Sequence, residues 1–318
     1  MLNSQFAQGA PLRSGDLFDS RIETMVVQAN GINFEVDTCG DGDCLALCLH
    51  GFPEHSVSWR FQMPMLAELG YKVWAPNLRG YGNSDTPSEL QAYSLEVLME
   101  DVASLIEVSG CREVILIAHD WGAVIAWHFV MRQPEQVKKL IICNVPHPVP
   151  ASAALADGWA QLKKSWYIFF FQLPWLPEWL MAQNKDGLGR MISESATHPE
   201  NFPPDVIDFY NENASRPKNL TAMLNYYRAL VRGGGAARQR RLGYPVISVP
   251  TLMVWGEADT ALGVETTYGT DAQVSDLTIR YLPGISHWVQ QDAPDSVNAM
   301  LSAFLQGLPV PEYQAESA

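Results

Sequence analysis

The amino-acid sequence predicts an α/β fold, in which a mostly parallel sheet is covered by helices on both faces and interrupted by a long helical insertion. Short apolar runs, typical of buried strands, alternate with helical segments along most of the 318 residues. Such alternation produces parallel strands joined by crossover helices. About 95 consecutive residues within this pattern contain helical segments but no convincing strand, which is too long for an ordinary loop.

The elements before the insertion follow from hydrophobic periodicity and turn signals. The core begins with a hairpin, because two extended segments meet at Asn30-Gly31, a strong turn signal. A helix is expected where apolar residues recur on one face between Leu95 and Val108. Strands are predicted at Glu23–Ala29, Ile32–Thr38, Cys44–Leu49, Lys72–Ala75, Val114–Ile117 and Lys139–Cys143, and helices at Ser58–Leu69, Leu95–Val108 and Ala123–Met131.

The remainder of the chain completes the same pattern. Strands are predicted again at Thr251–Trp255 and Leu277–Tyr281, followed by a final helix at about Asp295–Leu305. We therefore divide the chain into a flexible leader (1–21), a first part of the core (22–147), a helical cap (148–242) and a second part of the core (243–318). An insertion between strands lies at the carboxyl edge of the sheet, where ligands bind in open α/β folds, so the insertion should form a lid.

Composition excludes several classes of function. The formal net charge of -14 repels phosphate backbones and anionic membrane surfaces, which argues against a nucleic-acid partner. The five cysteines have no metal-ligand spacing, and their odd number favours a reduced, cytoplasmic protein. The most hydrophobic window, Trp166–Met181, is interrupted by polar residues and prolines and is shorter than the ~20 residues of a bilayer span, so no stable membrane insertion is expected. No metal or cofactor is predicted.

The segment Ala118-His119-Asp120-Trp121-Gly122 lies between the strand Val114–Ile117 and the helix that begins at about Ala123. Strand, sharp turn and helix, with small residues two positions on either side of the central residue, are the context of a nucleophile elbow. The central residue here is Asp120. A carboxylate in that position indicates displacement at a saturated carbon with formation of an ester between enzyme and substrate.

Hydrolysis of such an ester requires a general base and an acid that orients it. In this fold class the order along the chain is nucleophile, acid, histidine. His287 follows the last predicted strand and Asp259 follows the strand before it, so both lie at the same edge as Asp120. Glu257 is the rival for the orienting acid, and Asn144, at an alternative position after the strand ending at Cys143, cannot supply the charge.

An oxyanion forms during that hydrolysis and needs backbone N–H donors. The donors are expected at Trp121, directly after the nucleophile, and at Phe52, in the loop after the third strand. The bond preceding Pro53 is a candidate for the cis form, which would fix the turn that directs the Phe52 N–H group.

Four motifs together resemble the α/β-hydrolase-fold epoxide hydrolases, over about residues 22–307. They are His50-Gly51-Phe52-Pro53-Glu54, Arg79-Gly80-Tyr81-Gly82-Asn83-Ser84-Asp85, His119-Asp120-Trp121-Gly122 and Gly284-Ile285-Ser286-His287-Trp288. Haloalkane and haloacetate dehalogenases share these core motifs. Trp121 stands where haloacetate dehalogenases need an arginine, which argues against that reaction.

The resemblance implies two cap tyrosines that hydrogen-bond the epoxide oxygen and donate a proton as the ring opens. The segment Ser165–Gln172 resembles the first tyrosine segment, with Tyr167 in place, and Leu224–Arg228 resembles the second, with Tyr227 in place. The neighbouring Tyr226 is the alternative to Tyr227. The residues expected in the pocket wall are Trp166, Phe170, Tyr226 and Trp288.

These observations predict a cofactor-free epoxide hydrolase that converts a small apolar epoxide and water to a vicinal diol. Asp120 is the expected nucleophile, His287 the base, and Tyr167 and Tyr227 the proton donors. A haloalkane dehalogenase using the same Asp-His-Asp triad is the alternative reaction. A non-catalytic ligand-binding protein on the same fold is the alternative from another class. The sequence leaves a monomer or a homodimer open.

Overall fold

A computed structural model describes residues 19–157, 159–184 and 186–314. The leader predicted at 1–21 therefore lies almost wholly outside the described residues. The described chain contains eight strands: β1 (Glu23–Ala29), β2 (Ile32–Cys39), β3 (Cys44–Leu49), β4 (Lys72–Pro76), β5 (Glu113–His119), β6 (Lys139–Cys143), β7 (Thr251–Gly256) and β8 (Leu277–Leu282).

The strands form one sheet in the order β1-β2-β4-β3-β5-β6-β7-β8. β1 and β2 form the predicted hairpin and β2 is antiparallel to β4, whereas the pairs from β4 to β8 are parallel. β3, β5, β6 and β7 lie inside the sheet, and nearly every side chain on them is buried. The helices cover both faces, since the buried apolar residues form two large clusters that divide alternate residues of these strands.

The core helices are α1 (Gln62–Glu68), α2 (Leu95–Ser109), α3 (Asp120–Arg132), α12 (Val289–Asp292) and α13 (Pro294–Gln306). The helix predicted to begin at Ser58 instead begins at Gln62, after a 3-10 turn at Ser56–Trp59. Pro64 explains the later start. It has no N–H to donate to the carbonyl of Arg60, so it is tolerated only in the first turn of a helix, where that donor has no partner in any case.

The regular elements that the structure describes between β6 and β7 are helices. They are α4 (Pro148–Asp157), α5 (Trp159–Lys164), α6 (Trp166–Phe170), α7 (Leu176–Gln183), α8 (Gly187–Ser195), α9 (Pro204–Ser215), α10 (Pro217–Val231) and α11 (Gly235–Leu242), with a 3-10 turn at Pro199–Asn201. They fall within the range predicted for the cap, and the boundaries between cap and core stay a prediction.

Candidate active site

Asp120 lies at the predicted elbow, as the first residue of α3 directly after β5. Its φ of 44° is in the left-handed region, which a non-glycine residue rarely adopts. The turn requires two glycines. A Cβ on Gly122 would lie 2.2 Å from the carbonyl oxygen of Leu49, and a Cβ on Gly51 would lie 2.2 Å from the Asp120 Cβ. The elbow is therefore held in place by close backbone packing against the end of β3.

The two carboxylate oxygens of Asp120 have different surroundings. Oδ1 accepts a hydrogen bond of 2.6 Å from the Phe52 N–H, while Oδ2 lies 3.7 Å from Nε2 of His287. Burial alone would raise the pKa of Asp120, but the His287 imidazole and the Phe52 N–H outweigh it and hold that pKa below its usual value. The group is thus an anion with one oxygen bound to the backbone and the other directed toward His287.

The second expected oxyanion donor, Trp121, is the second residue of α3. The N–H groups in the first turn of a helix have no partner within the helix, so this N–H is available beside Asp120. The Phe52–Pro53 bond on the opposite side is cis, as anticipated.

His287 and Asp259 are in direct contact. Nδ1 of His287 lies 2.6 Å from Oδ2 of Asp259, whose Oδ1 accepts the N–H groups of Ala261 and Leu262 at 2.7 and 2.8 Å. Burial alone would lower the pKa of His287, but the charges of Asp259 and Asp120 outweigh it and raise that pKa to about 10. The rival acid, Glu257, is exposed.

Asn144 has a structural role that the sequence did not reveal. Its Nδ2 donates to Oδ2 of Asp259 at 2.9 Å, and its Oδ1 accepts the Gly256 N–H at 2.7 Å. It directly follows β6, the neighbour of β7 in the sheet. An amide after β6 becomes a signal only once β6 and β7 are known to be neighbours, and here it holds one carboxylate oxygen of Asp259 in place.

A second pair of buried side chains, His119 and Glu54, lies beside the site. Nδ1 of His119 lies 2.6 Å from Oε2 of Glu54, and Nε2 of His119 lies 2.9 Å from the carbonyl oxygen of His287. Glu54 Oε1 also accepts from the side-chain amides of Gln290 and Gln291 at 2.9 Å each. His119 therefore joins the elbow to the loop that contains His287.

A cavity of about 400 Å³ lies between cap and core and contains Asp120 and His287 in its wall. Its remaining lining residues are Phe52, Lys164, Trp166, Tyr167, Phe170, Phe171, Met181, Leu188, Met191, Ser195, Tyr227, Thr260, Ala261 and Trp288. The rings of Tyr167 and Tyr227 are 5.9 Å apart. Burial, reinforced by the negative charge of Asp120, raises the pKa of both phenols, so both are protonated at neutral pH.

Three of the four residues expected in the pocket wall, Trp166, Phe170 and Trp288, line this cavity. The expectation for Tyr226 was wrong. It is fully buried away from the cavity, and its hydroxyl donates to the carbonyl of Arg79 at 2.9 Å. Successive residues of a helix point about 100° apart, so α10 directs only one of the adjacent tyrosines into the cavity.

Comparison with known proteins identifies the family of the chain. A model of the alpha/beta hydrolase fold family matches residues 47–294. Human epoxide hydrolase 4 is 34% identical, over 88% of this chain and 77% of its own. The Bacillus subtilis AB hydrolase superfamily protein YfhM is 35% identical, over 90% of this chain and 98% of its own. The chain belongs to the epoxide hydrolases of the alpha/beta hydrolase fold.

The solved structures give the same result. An epoxide hydrolase from Bacillus megaterium with a bound inhibitor is 31% identical and superposes with a TM-score of 0.81, over 89% of this chain and 100% of that one. A variant of the Bacillus megaterium protein, 32% identical and with a TM-score of 0.81, was solved with its product, a naphthyloxy-propanediol; the match covers 89% of this chain and 100% of that one.

Two further findings concern the site and its surroundings. Among the described residues, none of the helices has the length and apolar composition that a bilayer crossing requires. The same part of the chain contains no group of three or more His, Cys, Asp or Glu side chains arranged to hold a metal ion.

Proposed function

We propose that the enzyme opens an apolar epoxide to a vicinal diol through a covalent ester on Asp120. The observation that carries this proposal is that the two carboxylate oxygens of Asp120 have different hydrogen-bond surroundings, in a cavity that also contains the phenols of Tyr167 and Tyr227. The Phe52 N–H occupies Oδ1, which leaves Oδ2 as the attacking atom. The ester carbonyl that results already has its oxygen in the oxyanion site.

Ring opening needs a proton donor on the epoxide oxygen. Oδ2 attacks a ring carbon, the carbon–oxygen bond breaks, and a proton passes from Tyr167 or Tyr227 to the departing oxygen. Burial and the charge of Asp120 raise the pKa of both phenols, which keeps them protonated until the substrate needs the proton. The lining is largely apolar, so the phenols supply the hydrogen bonds that stabilise the departing oxygen and lower the barrier.

Hydrolysis of the ester depends on a change of charge at His287. In the resting site two carboxylates raise its pKa to about 10, so the imidazole is protonated. Alkylation removes the charge of Asp120 and leaves a phenolate, to which His287 transfers its proton. The neutral imidazole, oriented by Asp259, then takes a proton from water as the water attacks the ester carbonyl. The Phe52 and Trp121 N–H groups stabilise the oxyanion. As it collapses, the bond from the carbonyl carbon to the diol oxygen breaks and the second proton of the water passes to that oxygen, so the diol leaves and Asp120 and His287 return to their charged forms.

The cavity wall indicates the class of substrate. Aromatic and aliphatic side chains supply most of the lining, and Lys164 is the one lysine or arginine in it among the described residues. This supports a neutral, apolar epoxide, and the aryl ether diol bound by the Bacillus megaterium relative is a product of that kind. Because the five cysteines are all free, we also propose a reducing, cytoplasmic environment.

The distinction from a haloalkane dehalogenase rests on the tyrosine pair, because a halide leaving group needs no proton. The direct test is incubation with styrene oxide and, separately, with 1-chlorobutane, with the diol and chloride measured. We expect diol from the first and no chloride from the second. Chloride release without diol would overturn the assignment.

The covalent step has its own test. In a single turnover with excess enzyme in oxygen-18 water, the heavy atom should appear in the carboxylate of Asp120 and not in the first diol released. Mass spectrometry of the peptide that contains Asp120 measures the label. A labelled diol with an unlabelled protein would show that water attacks the epoxide directly.

A further inference from the structure

The loop that carries Asp259 lacks the hydrogen bonds of regular secondary structure. It joins β7 to a 3-10 turn at Val264–Thr267, and residues 257–263 form turns and bends. Within the loop, Oδ1 of Asp259 accepts the N–H groups of Ala261 and Leu262. Other backbone groups of such a loop need side chains or water as partners, and α5 of the cap supplies side chains for three of them.

Gln161, on α5, makes two of these contacts. Its Nε2 donates to the carbonyl of Ala261 and its Oε1 accepts the N–H of Gly263, both at 3.0 Å. A primary amide offers a donor and an acceptor in one plane, so this side chain pairs with the loop as a neighbouring strand would. Gln161 is only 2% exposed, which limits competition from water for these bonds.

Lys164 makes the third contact. It lies three residues farther along α5, which places it on the same side of the helix. Its Nζ donates to the backbone carbonyl of Asp259 at 3.0 Å, while the carboxylate of the same residue lies 2.6 Å from Nδ1 of His287. The contacts of α5 thus extend from Asp259 to Gly263, and a displacement of this helix would release the loop at all three points together.

The elbow that carries the nucleophile is held by different parts of the chain. Asp120 packs against Gly51 and accepts the Phe52 N–H, and none of the side-chain hydrogen bonds described for α5 reaches either partner. The one further bond is from Gln161 Nε2 to Oγ of Ser165 at 3.1 Å. The helix α5 therefore supports the orienting acid rather than the nucleophile.

We propose that Gln161 and Lys164 are positioning residues for Asp259, through which the cap supports hydrolysis of the ester but not its formation. The imidazole of His287 accepts a proton from water efficiently only while Asp259 holds the ring in the correct orientation. A loop that moves by a fraction of an ångström lengthens that contact. This inference rests on the proposed function, because ester hydrolysis is the step that Asp259 serves.

Gln161→Met and Lys164→Met test the proposal, since methionine is unbranched, like the residues it replaces, and donates no strong hydrogen bond. After rapid mixing with saturating epoxide, the adduct on Asp120 should form at the parental rate, which also shows that the variants fold. Its hydrolysis should be about 10–100-fold slower. Hydrolysis of a formed ester is unimolecular, so a change in substrate affinity at Lys164, which lines the cavity, cannot produce this result.

Each variant has a matched control. Lys163→Met makes the same change at the adjacent, exposed lysine, and Ser165→Ala removes the bond between Gln161 and Ser165 while leaving the loop contacts. Both controls should hydrolyse the ester at the parental rate. The inference is overturned if Gln161→Met and Lys164→Met do so too, if a control is slowed as much as its partner, or if adduct formation and hydrolysis slow equally.

Hydrogen exchange provides a measurement that does not depend on turnover. In Gln161→Met the Gly263 N–H loses its acceptor, so the peptide spanning 257–264 should exchange faster, while a peptide that contains Asp120 remains protected. Unchanged exchange in the loop would also overturn the inference. If the parent protein forms no adduct on Asp120, the proposed function fails and this inference with it. A parental adduct that the variants hydrolyse normally overturns this inference alone.

Discussion

Replacing Asp259 with asparagine tests the base and its orienting acid most directly. Both oxygens of Asp259 accept only: Oδ1 accepts two backbone N–H groups and Oδ2 accepts from His287 and Asn144. In Asp259→Asn the new NH₂ group replaces one of these two oxygens. In either orientation of the amide it therefore faces groups that also donate. If it faces His287, a charge-assisted bond worth about 1.5–3 kcal/mol is lost and a buried donor is left unpaired at a cost of about 1–3 kcal/mol.

These terms sum to roughly 2.5–6 kcal/mol, which corresponds to a decrease in the ester hydrolysis rate of about 10²–10⁴-fold at 1.36 kcal/mol per decade. Alkylation should be affected much less, since it uses Asp120 and the phenols. Rapid mixing with excess epoxide should therefore give a fast first turnover followed by a slow steady state. Intact-protein mass spectrometry should detect the adduct on Asp120.

Glu257→Gln is the matched control, because Glu257 is exposed and lies two residues away in the same loop. Its kinetics should be those of the parent. The reasoning is refuted if Asp259→Asn hydrolyses the ester at the parental rate, or if both variants lose activity to the same extent.

His287→Gln should accumulate the same adduct and release almost no diol, and turnover at the parental rate would contradict its role as base. Tyr167→Phe should slow alkylation in stopped-flow measurements about 10–100-fold, and adding Tyr227→Phe should nearly stop it; an unchanged double variant would remove the phenols from the mechanism. The folded-state pKa of His287 is about 10 against an ordinary value near 6.5, so its contribution to stability is complete below pH ~6.5 and lost by pH ~10. Denaturant titrations should show the free energy of unfolding decreasing across that interval, with a shallower decrease in His287→Gln. Gly122→Ala should destabilise the fold by about 3 kcal/mol or more, because its Cβ would lie 2.2 Å from a backbone oxygen; an unchanged melting temperature would contradict the packing argument.

Features that depend on the backbone pattern were predictable from the sequence. The hairpin and parallel strands follow from periodicity, and the elbow at Asp120 follows from a strand, small flanking residues and a helix. The positions of Asp259 and His287 follow because parallel strands end at one edge of the sheet.

Features that depend on side-chain orientation were not predictable in the same way. The support of Asp259 by Asn144 requires knowing that β6 and β7 are neighbours, which no local pattern reveals. The choice between Tyr226 and Tyr227 depends on the rotation of α10 about its axis, and an error of one residue turns a side chain by about 100°. The predicted start of α1 was too early because Pro64 is tolerated only in the first turn of a helix.

The buried carboxylate of Glu54 distinguishes the parts of the site that tolerate substitution from those that do not. It accepts the Gly51 N–H at 3.1 Å and hydrogen bonds from the side chains of Gln290 and Gln291, and it lies 2.6 Å from Nδ1 of His119. The loop after β3, the end of β5 and α12 therefore share one anchor. A substitution at that anchor disturbs all three segments at once. The cap wall, with residues such as Phe170 and Leu188, is free of this constraint. New selectivities are therefore accessible through substitutions in the cap wall that leave the Glu54 anchor intact.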